Sequence, residues 1–140
     1  MKTGQRLFFI TLMTLLLASA SLAQEKGGPT ALPAPTTVQQ GKFTITLQSG
    51  EYELISIIFD FVPGAGVPKH KHGGQVLALV LSGEMTVREK GTERVVKAGE
   101  SWTEDPGNEH SVINAGKVTA RVAASMLIPK GGEVTTIIKQ

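Results

Sequence analysis

The chain has no cysteine among its 140 residues. Disulfides, thiolate metal ligands and thiol chemistry are excluded together, and the fold must stand on packing alone. Also missing is any segment with the apolar spacing of a long amphipathic helix. No apolar run makes a good membrane span, which takes about 20 mainly apolar residues. The longest, Leu7 to Ala18, is interrupted by Thr and Ser and follows the basic Lys2 and Arg6. Residues 1–23 therefore read as an export signal, with Ser21-Leu22-Ala23 as a small-x-small cleavage site before Gln24. A retained anchor is the competing reading of the same run. There is no surplus of one charge either: the formal +2 comes from Lys2 and Arg6, and without them twelve basic residues face twelve acidic ones. That balance offers nucleic acid and anionic membrane nothing to bind. The expected location is exported, periplasmic or secreted, with no membrane partner once the signal is cleaved.

What remains is the size of one domain. Residues 24–41 hold Pro29, Pro33, Pro35 and the pair Gly27-Gly28 without apolar periodicity, which predicts a flexible tether. From Lys42 onward, short runs of Val, Ile, Leu and Thr alternate with Gly and Pro punctuation, which predicts strands near 42–48, 52–62, 67–72, 75–81, 84–89, 92–97, 101–104, 110–114, 118–128 and 134–138. Many short strands at close spacing imply an all-β sandwich or barrel over residues 42–140.

Histidine is scarce, and its placement is informative. His70 and His72 stand in "PKHKHGGQ", and the third, His110, lies in "EDPGNEHSVIN" after a Pro106-Gly107 turn. On a strand, His70 and His72 share one face while Lys69 and Lys71 share the other. Two imidazoles at that spacing can converge on one ion, although such a pair by itself is more often an ordinary surface pair.

Taken together, these segments resemble the cupins. Gly64, His70, His72 and Gly83 in "GAGVPKHKHGGQVLALVLSG" are similar to the first cupin motif, and Gly99, Pro106, Gly107, His110 and Asn114 in "AGESWTEDPGNEHSVIN" are similar to the second. The "LSGEMTV" hairpin between them also fits, so the resemblance runs from about Ile55 to Ile128. It implies a conical antiparallel β-barrel, the jelly-roll or double-stranded β-helix, with the ligand pocket inside. It also implies one divalent metal ion, Fe²⁺, Mn²⁺, Zn²⁺ or Ni²⁺, held by His70, His72 and His110, and a homodimer. The family's usual glutamate ligand falls at Val76, which has neither charge nor lone pair, with Gln75 beside it. Asp105 stands where the second motif commonly has proline.

Glu104 and Glu109 are the candidate replacements for that carboxylate. Trp102 and Glu104 share a face if the strand is regular, so an inward Trp brings Glu104 toward the pocket, where it can serve as a catalytic base; Glu109 points the other way. A solvated acidic turn before Pro106 is the commoner fate of residues like Glu104 and Asp105. Gln75, Val76, Trp102 and Asn114 are expected around the pocket, and a structural hydrogen bond to backbone explains Asn114 equally well. Two functions follow: a metal-dependent small-molecule dioxygenase or isomerase, or a non-catalytic binder of a small ligand. A purely structural protein with a degenerate site fits less well, because all three imidazoles fall within the two motifs.

Overall fold

The computed structural model describes residues 31–139, so the expected export signal and the first part of the tether lie outside the described residues. Ten strands follow one another: β1 (Thr36–Leu47), β2 (Gly50–Phe61), β3 (Gly66–Lys71), β4 (Gln75–Ser82), β5 (Glu84–Glu89), β6 (Thr92–Lys97), β7 (Ser101–Glu104), β8 (His110–Ile113), β9 (Ala120–Pro129) and β10 (Thr136–Ile137). They form two five-stranded antiparallel sheets, in the orders β1-β2-β9-β4-β7 and β10-β3-β8-β5-β6. This is the jelly-roll arrangement, in which consecutive strands cross between sheets and enclose a core.

Alternation decides which side chains enter that core. On β4, Val76, Ala78 and Val80 are buried while Gln75, Leu77, Leu79 and Leu81 are exposed. On β9, Ala120, Val122, Ala124, Met126 and Ile128 all point inward. β4 and β9 are neighbours, so these two rows form one continuous apolar wall. Each large aliphatic side chain taken fully from water contributes roughly 1.5–3 kcal/mol. One turn also constrains the wall. Gly83 ends the β4 segment at φ 74°, and a Cβ there would stand 2.8 Å from Ala120 Cα.

The tether expectation needs correction over residues 36–41. Thr36 to Leu47 form a twelve-residue edge strand paired to β2 from Thr36↔Asp60 to Leu47↔Gly50. Thr36 to Gly41 are exposed, so backbone pairing alone holds them there and no apolar alternation is required. Just before the strand, the Pro33 carbonyl accepts a hydrogen bond from Gly66 N–H at 3.0 Å, which ties the incoming chain to β3.

Candidate metal centre

Strand register brings the three histidines together. β3 and β8 are antiparallel neighbours in which His70 lies directly opposite His110, and a bulge between Val67 and His70 adjusts the pairing on the way. His72 stands one residue beyond β3 and is still buried. Two backbone bonds hold it: Gly107 N–H donates to the His72 carbonyl at 2.9 Å, and Gly73 N–H donates to the Glu133 carbonyl at 2.9 Å. The Pro106-Gly107 turn and the C-terminal segment therefore clamp the end of β3 from two sides. Ring centroids lie 4.2 Å apart for His70 and His110, 4.9 Å for His70 and His72, and 5.3 Å for His72 and His110. Lys69 points outward to an ion pair with Glu109, as the strand alternation predicts.

A fourth group arrives from the other sheet. Glu104 ends β7, is only 6% exposed, and faces Val76 across the β4–β7 pair. Its Oε2 lies 3.0 Å from His72 Nε2 and its Oε1 3.1 Å from His110 Nε2. Trp102, two residues back on the same face, donates its indole N–H to Oε1 at 2.7 Å. One donor atom from each of His70, His72, Glu104 and His110 lies within 4.8 Å of the others. The three-histidine set is thus corrected to three histidines and one carboxylate. The solvated-turn reading holds for exposed Asp105 and fails for Glu104. Glu104 does point inward, but it stands among the ligand atoms and is not a base set apart from them.

The imidazole tautomers follow from what the second nitrogens touch. His70 Nδ1 lies 2.8 Å from the Pro68 carbonyl, His72 Nδ1 2.6 Å from the Val134 carbonyl and His110 Nδ1 3.0 Å from the Asn108 carbonyl. A carbonyl only accepts, so each Nδ1 carries a proton and donates it. In the neutral ring each Nε2 then has a free lone pair, and those of His72 and His110 face the Glu104 carboxylate at 3.0 and 3.1 Å. Lone pairs facing a carboxylate at this distance repel unless positive charge lies between them. His110 Nε2 shows the strain of the arrangement: it is buried and has no aligned hydrogen-bond partner despite its closeness to Glu104. Either a proton on the ring or one cation shared by all four groups relieves it. Three imidazoles and a carboxylate are a donor set that suits Fe, Mn, Zn or Ni, so the residues fit a divalent metal.

The proton affinities agree. Burial alone would raise the Glu104 pKa, but in the metal-free site its pairing with His110 and His72, together with the Trp102 N–H, outweighs burial and holds the carboxyl well below its usual range. Burial, reinforced by the charge of His110, pushes His70 down to about 4, so its ring is neutral and able to ligate at physiological pH. For His110, burial works against the charged form, and the Glu104 hydrogen bond and charge overcome it to raise the pKa.

Beside the cluster is a cavity of about 160 Å³. Phe59, Phe61, Val67, Val76, Ala78, Trp102, Val112, Val122, Ala124 and Met126 wall it, with Pro35 and Thr135 from the chain's two ends. Among the described residues, the polar lining side chains besides Trp102 are His70, His72, Glu104 and Thr135, and no Lys or Arg borders the cavity. Of the expected pocket residues, Val76 and Trp102 are there. Gln75 is not: it faces outward, and its Nε2 donates to the Glu104 carbonyl at 3.2 Å and to Asp105 Oδ1 at 3.3 Å. Asn114 is fully buried away from the cavity, donating to the Phe61 and Val118 carbonyls and accepting from Gly116 N–H. It is a structural residue, the alternative open for it in the sequence. Pro35, Val134 and Thr135 carry no motif that would have pointed to the site.

A jelly-roll barrel whose two sheets deliver imidazoles and one carboxylate to an interior cavity defines a small β-barrel protein with a metal-type centre. The cupin domain family matches residues 57–128, just over half of the chain, and the protein belongs to the cupins. No curated protein matches it. Among solved structures, a conserved protein with a double-stranded β-helix domain from Klebsiella pneumoniae is similar at 21% identity and TM-score 0.57, covering 81% of this chain and 90% of that one. A predicted oxalate decarboxylase from Thermotoga maritima is similar at 22% identity and TM-score 0.50, covering 67% and 97%. An oxalate oxidase in complex with the substrate analogue glycolate is similar at 22% identity and TM-score 0.52, covering 71% and 55%. Likeness at these identities carries the fold.

Proposed function

We propose that this cupin holds one divalent transition-metal ion through His70, His72, His110 and Glu104, and uses it on a small molecule bound in the adjoining cavity. The observation that carries this reading is the clustering of three Nδ1-protonated imidazoles and one buried carboxylate, with a donor atom of each within 4.8 Å of the others, an arrangement that one shared cation satisfies. A bound ion of this kind supplies Lewis acidity and, for Fe or Mn, redox capacity. The residues supply the rest. Carbonyls of Pro68, Val134 and Asn108 hold the imidazoles in the ligating tautomer, Trp102 fixes Glu104, and the apolar walls exclude water. With Glu104 committed to the cluster, the described residues of the cavity lining offer no free carboxylate, imidazole or amine to shuttle a proton. That favours an oxygenase, whose chemistry is centred on the metal, over an isomerase, which requires a separate base. The same lack favours a non-catalytic binder as the second reading.

Elemental analysis of purified protein beside His70→Ala and Glu104→Ala variants tests the metal reading, and equal metal content in all three would sink it. Oxygen consumption by metal-loaded protein with phenols and diketones then separates oxygenase from binder. Export belongs to the same proposal, and an N-terminus at Gln24 on protein recovered outside the cytoplasm checks it. A homodimer is proposed from the exposed Leu77, Leu79 and Leu81 on the outer face of β4, and sedimentation measures it.

A further inference from the structure

Most of the cavity wall is paired strand. Among the described residues that line it, only Pro35, His72 and Thr135 lie outside the ten strands. Strand walls part only when several ladder bonds break together, so the easier opening is beside the two end segments. Those segments differ in stiffness. Pro33 and Pro35 have fixed φ, and the Pro33 carbonyl is bound by Gly66 N–H at 3.0 Å. The C-terminal segment instead leaves β9 through Lys130-Gly131-Gly132, with Gly131 at φ 79°, a backbone that can turn either way.

Beyond those glycines the chain lies tightly over the site. The Glu133 carbonyl accepts from Gly73 N–H, and a Cβ on Gly73 would stand 2.5 Å from that oxygen. Val134 packs, half-buried, against the apolar cluster that includes Val76, Met126 and Ile128, while its carbonyl accepts from His72 Nδ1 at 2.6 Å. Thr135 lines the cavity with its hydroxyl 3.2 Å from the same nitrogen. After it come the two residues of β10 at the sheet edge and one bond from Ile138 N–H to the Lys69 carbonyl. A largely exposed segment held by so few bonds can lift while the barrel stays folded.

We propose that residues 130–138 are a strap, hinged at Gly131-Gly132, that closes the cavity and in the same seating locks His72 for ligation. Small molecules and the metal ion then exchange through one opening. The ion's share in this rests on the metal reading above; the closing of the cavity does not.

The test cross-links the strap in the full chain with Lys71→Cys and Thr136→Cys. These positions are directly opposite on β3 and β10, at the roughly 4.5–5.5 Å Cα separation of paired strands that a disulfide accepts, and the chain has no other cysteine. All three histidines of the chain belong to the buried cluster, so carbethoxylation of metal-free protein by diethyl pyrocarbonate reports access to the site alone. The oxidised protein is expected to react about tenfold more slowly than the same protein reduced. Gly131→Ala strains the seated hinge at its positive φ and should speed the reaction roughly fivefold, which carries the test should the cross-link not form. Equal rates in the oxidised, reduced and Gly131→Ala proteins would place the entrance elsewhere and overturn the proposal. With Co²⁺ loaded, the oxidised form should also surrender the ion to a chelator about tenfold more slowly. Release indifferent to the cross-link overturns the ion's share of the proposal. Failure of every form to retain Co²⁺ sinks the metal reading, and the carbethoxylation rates still decide whether the strap closes the cavity.

Discussion

Val76 and Glu104 lie directly opposite one another on β4 and β7, both buried on the same face. The valine occupies the position where the motif resemblance expects a glutamate, and the glutamate reaches the same neighbourhood from the adjacent strand. Side chains paired in this way have Cβ atoms about 4.5–5.5 Å apart, a gap that a carboxylate arm can span.

That relationship predicts a rescue. Glu104→Val is expected to lower metal affinity by more than the roughly 10–100-fold typical of losing an outer hydrogen-bond partner. Adding Val76→Glu to it should restore metal retention in large part. Metal per chain after dialysis against a chelator measures both, and a double variant as empty as the single one would show that the two positions are not interchangeable.

Trp102 is the chain's only tryptophan, and its N–H is bonded to the buried Glu104 carboxylate. Trp102→Phe keeps an aromatic wall and removes the donor, so metal affinity should fall by roughly 10–100-fold. In the unaltered protein, metal titration should change the indole fluorescence with the same midpoint as calorimetry. An unaltered affinity in Trp102→Phe would assign Trp102 a wall role only.

Ending the chain at Gly132 removes the Val134 carbonyl that holds His72 Nδ1 and the Thr135 hydroxyl 3.2 Å from the same nitrogen. Because β10 has two residues and sits at a sheet edge, the barrel should remain folded by circular dichroism. His72 should then populate both tautomers in imidazole ¹⁵N spectra, and metal affinity should drop. A single Nδ1-protonated signal in the truncated protein would refute the orienting role.

In the metal-free protein, stability should fall as pH falls from 6.5 to about 4, because the unfolded chain takes up a proton on His70 that the folded chain refuses. Glu104 is held low, so it adds to the acid loss below its ordinary value of 4.5. His110 acts in the opposite sense: its value is raised, so its contribution is full below 6.5 and is lost as pH climbs through the folded value. Thermal melts across this range check the slope, and His70→Gln should flatten it between pH 4 and 6.5. Metal retention should also fall with acid, as ring protonation competes with ligation.

Gly74 precedes β4, and a Cβ there would collide with the Leu127 carbonyl on β9. Gly74→Ala should therefore destabilise by an amount near the top of the roughly 0.5–3 kcal/mol range of single substitutions. A urea titration with an unchanged m-value and a lower midpoint is the expected result.

The interior strands were legible because one face of each is buried: β4 and β9 alternate residue by residue, and that period is visible in the letters. The first six residues of β1 were not, since an exposed edge strand pairs through its backbone and needs no apolar face. The histidine trio was legible through its two motifs, and the shared face of Trp102 and Glu104 through strand alternation. Gln75 was misplaced by one residue of the same alternation: it faces outward where Val76 faces in.

By itself the sequence determined the all-β class, the positions of most strands along the chain and the three imidazoles, because these depend on local period and on spacing within short segments. Tertiary structure decided that Glu104 completes the cluster, that Val134 orients His72 and that no described Lys or Arg lines the cavity. Each of those depends on which strands become neighbours, and on a backbone carbonyl that every residue possesses, so no local pattern could announce it.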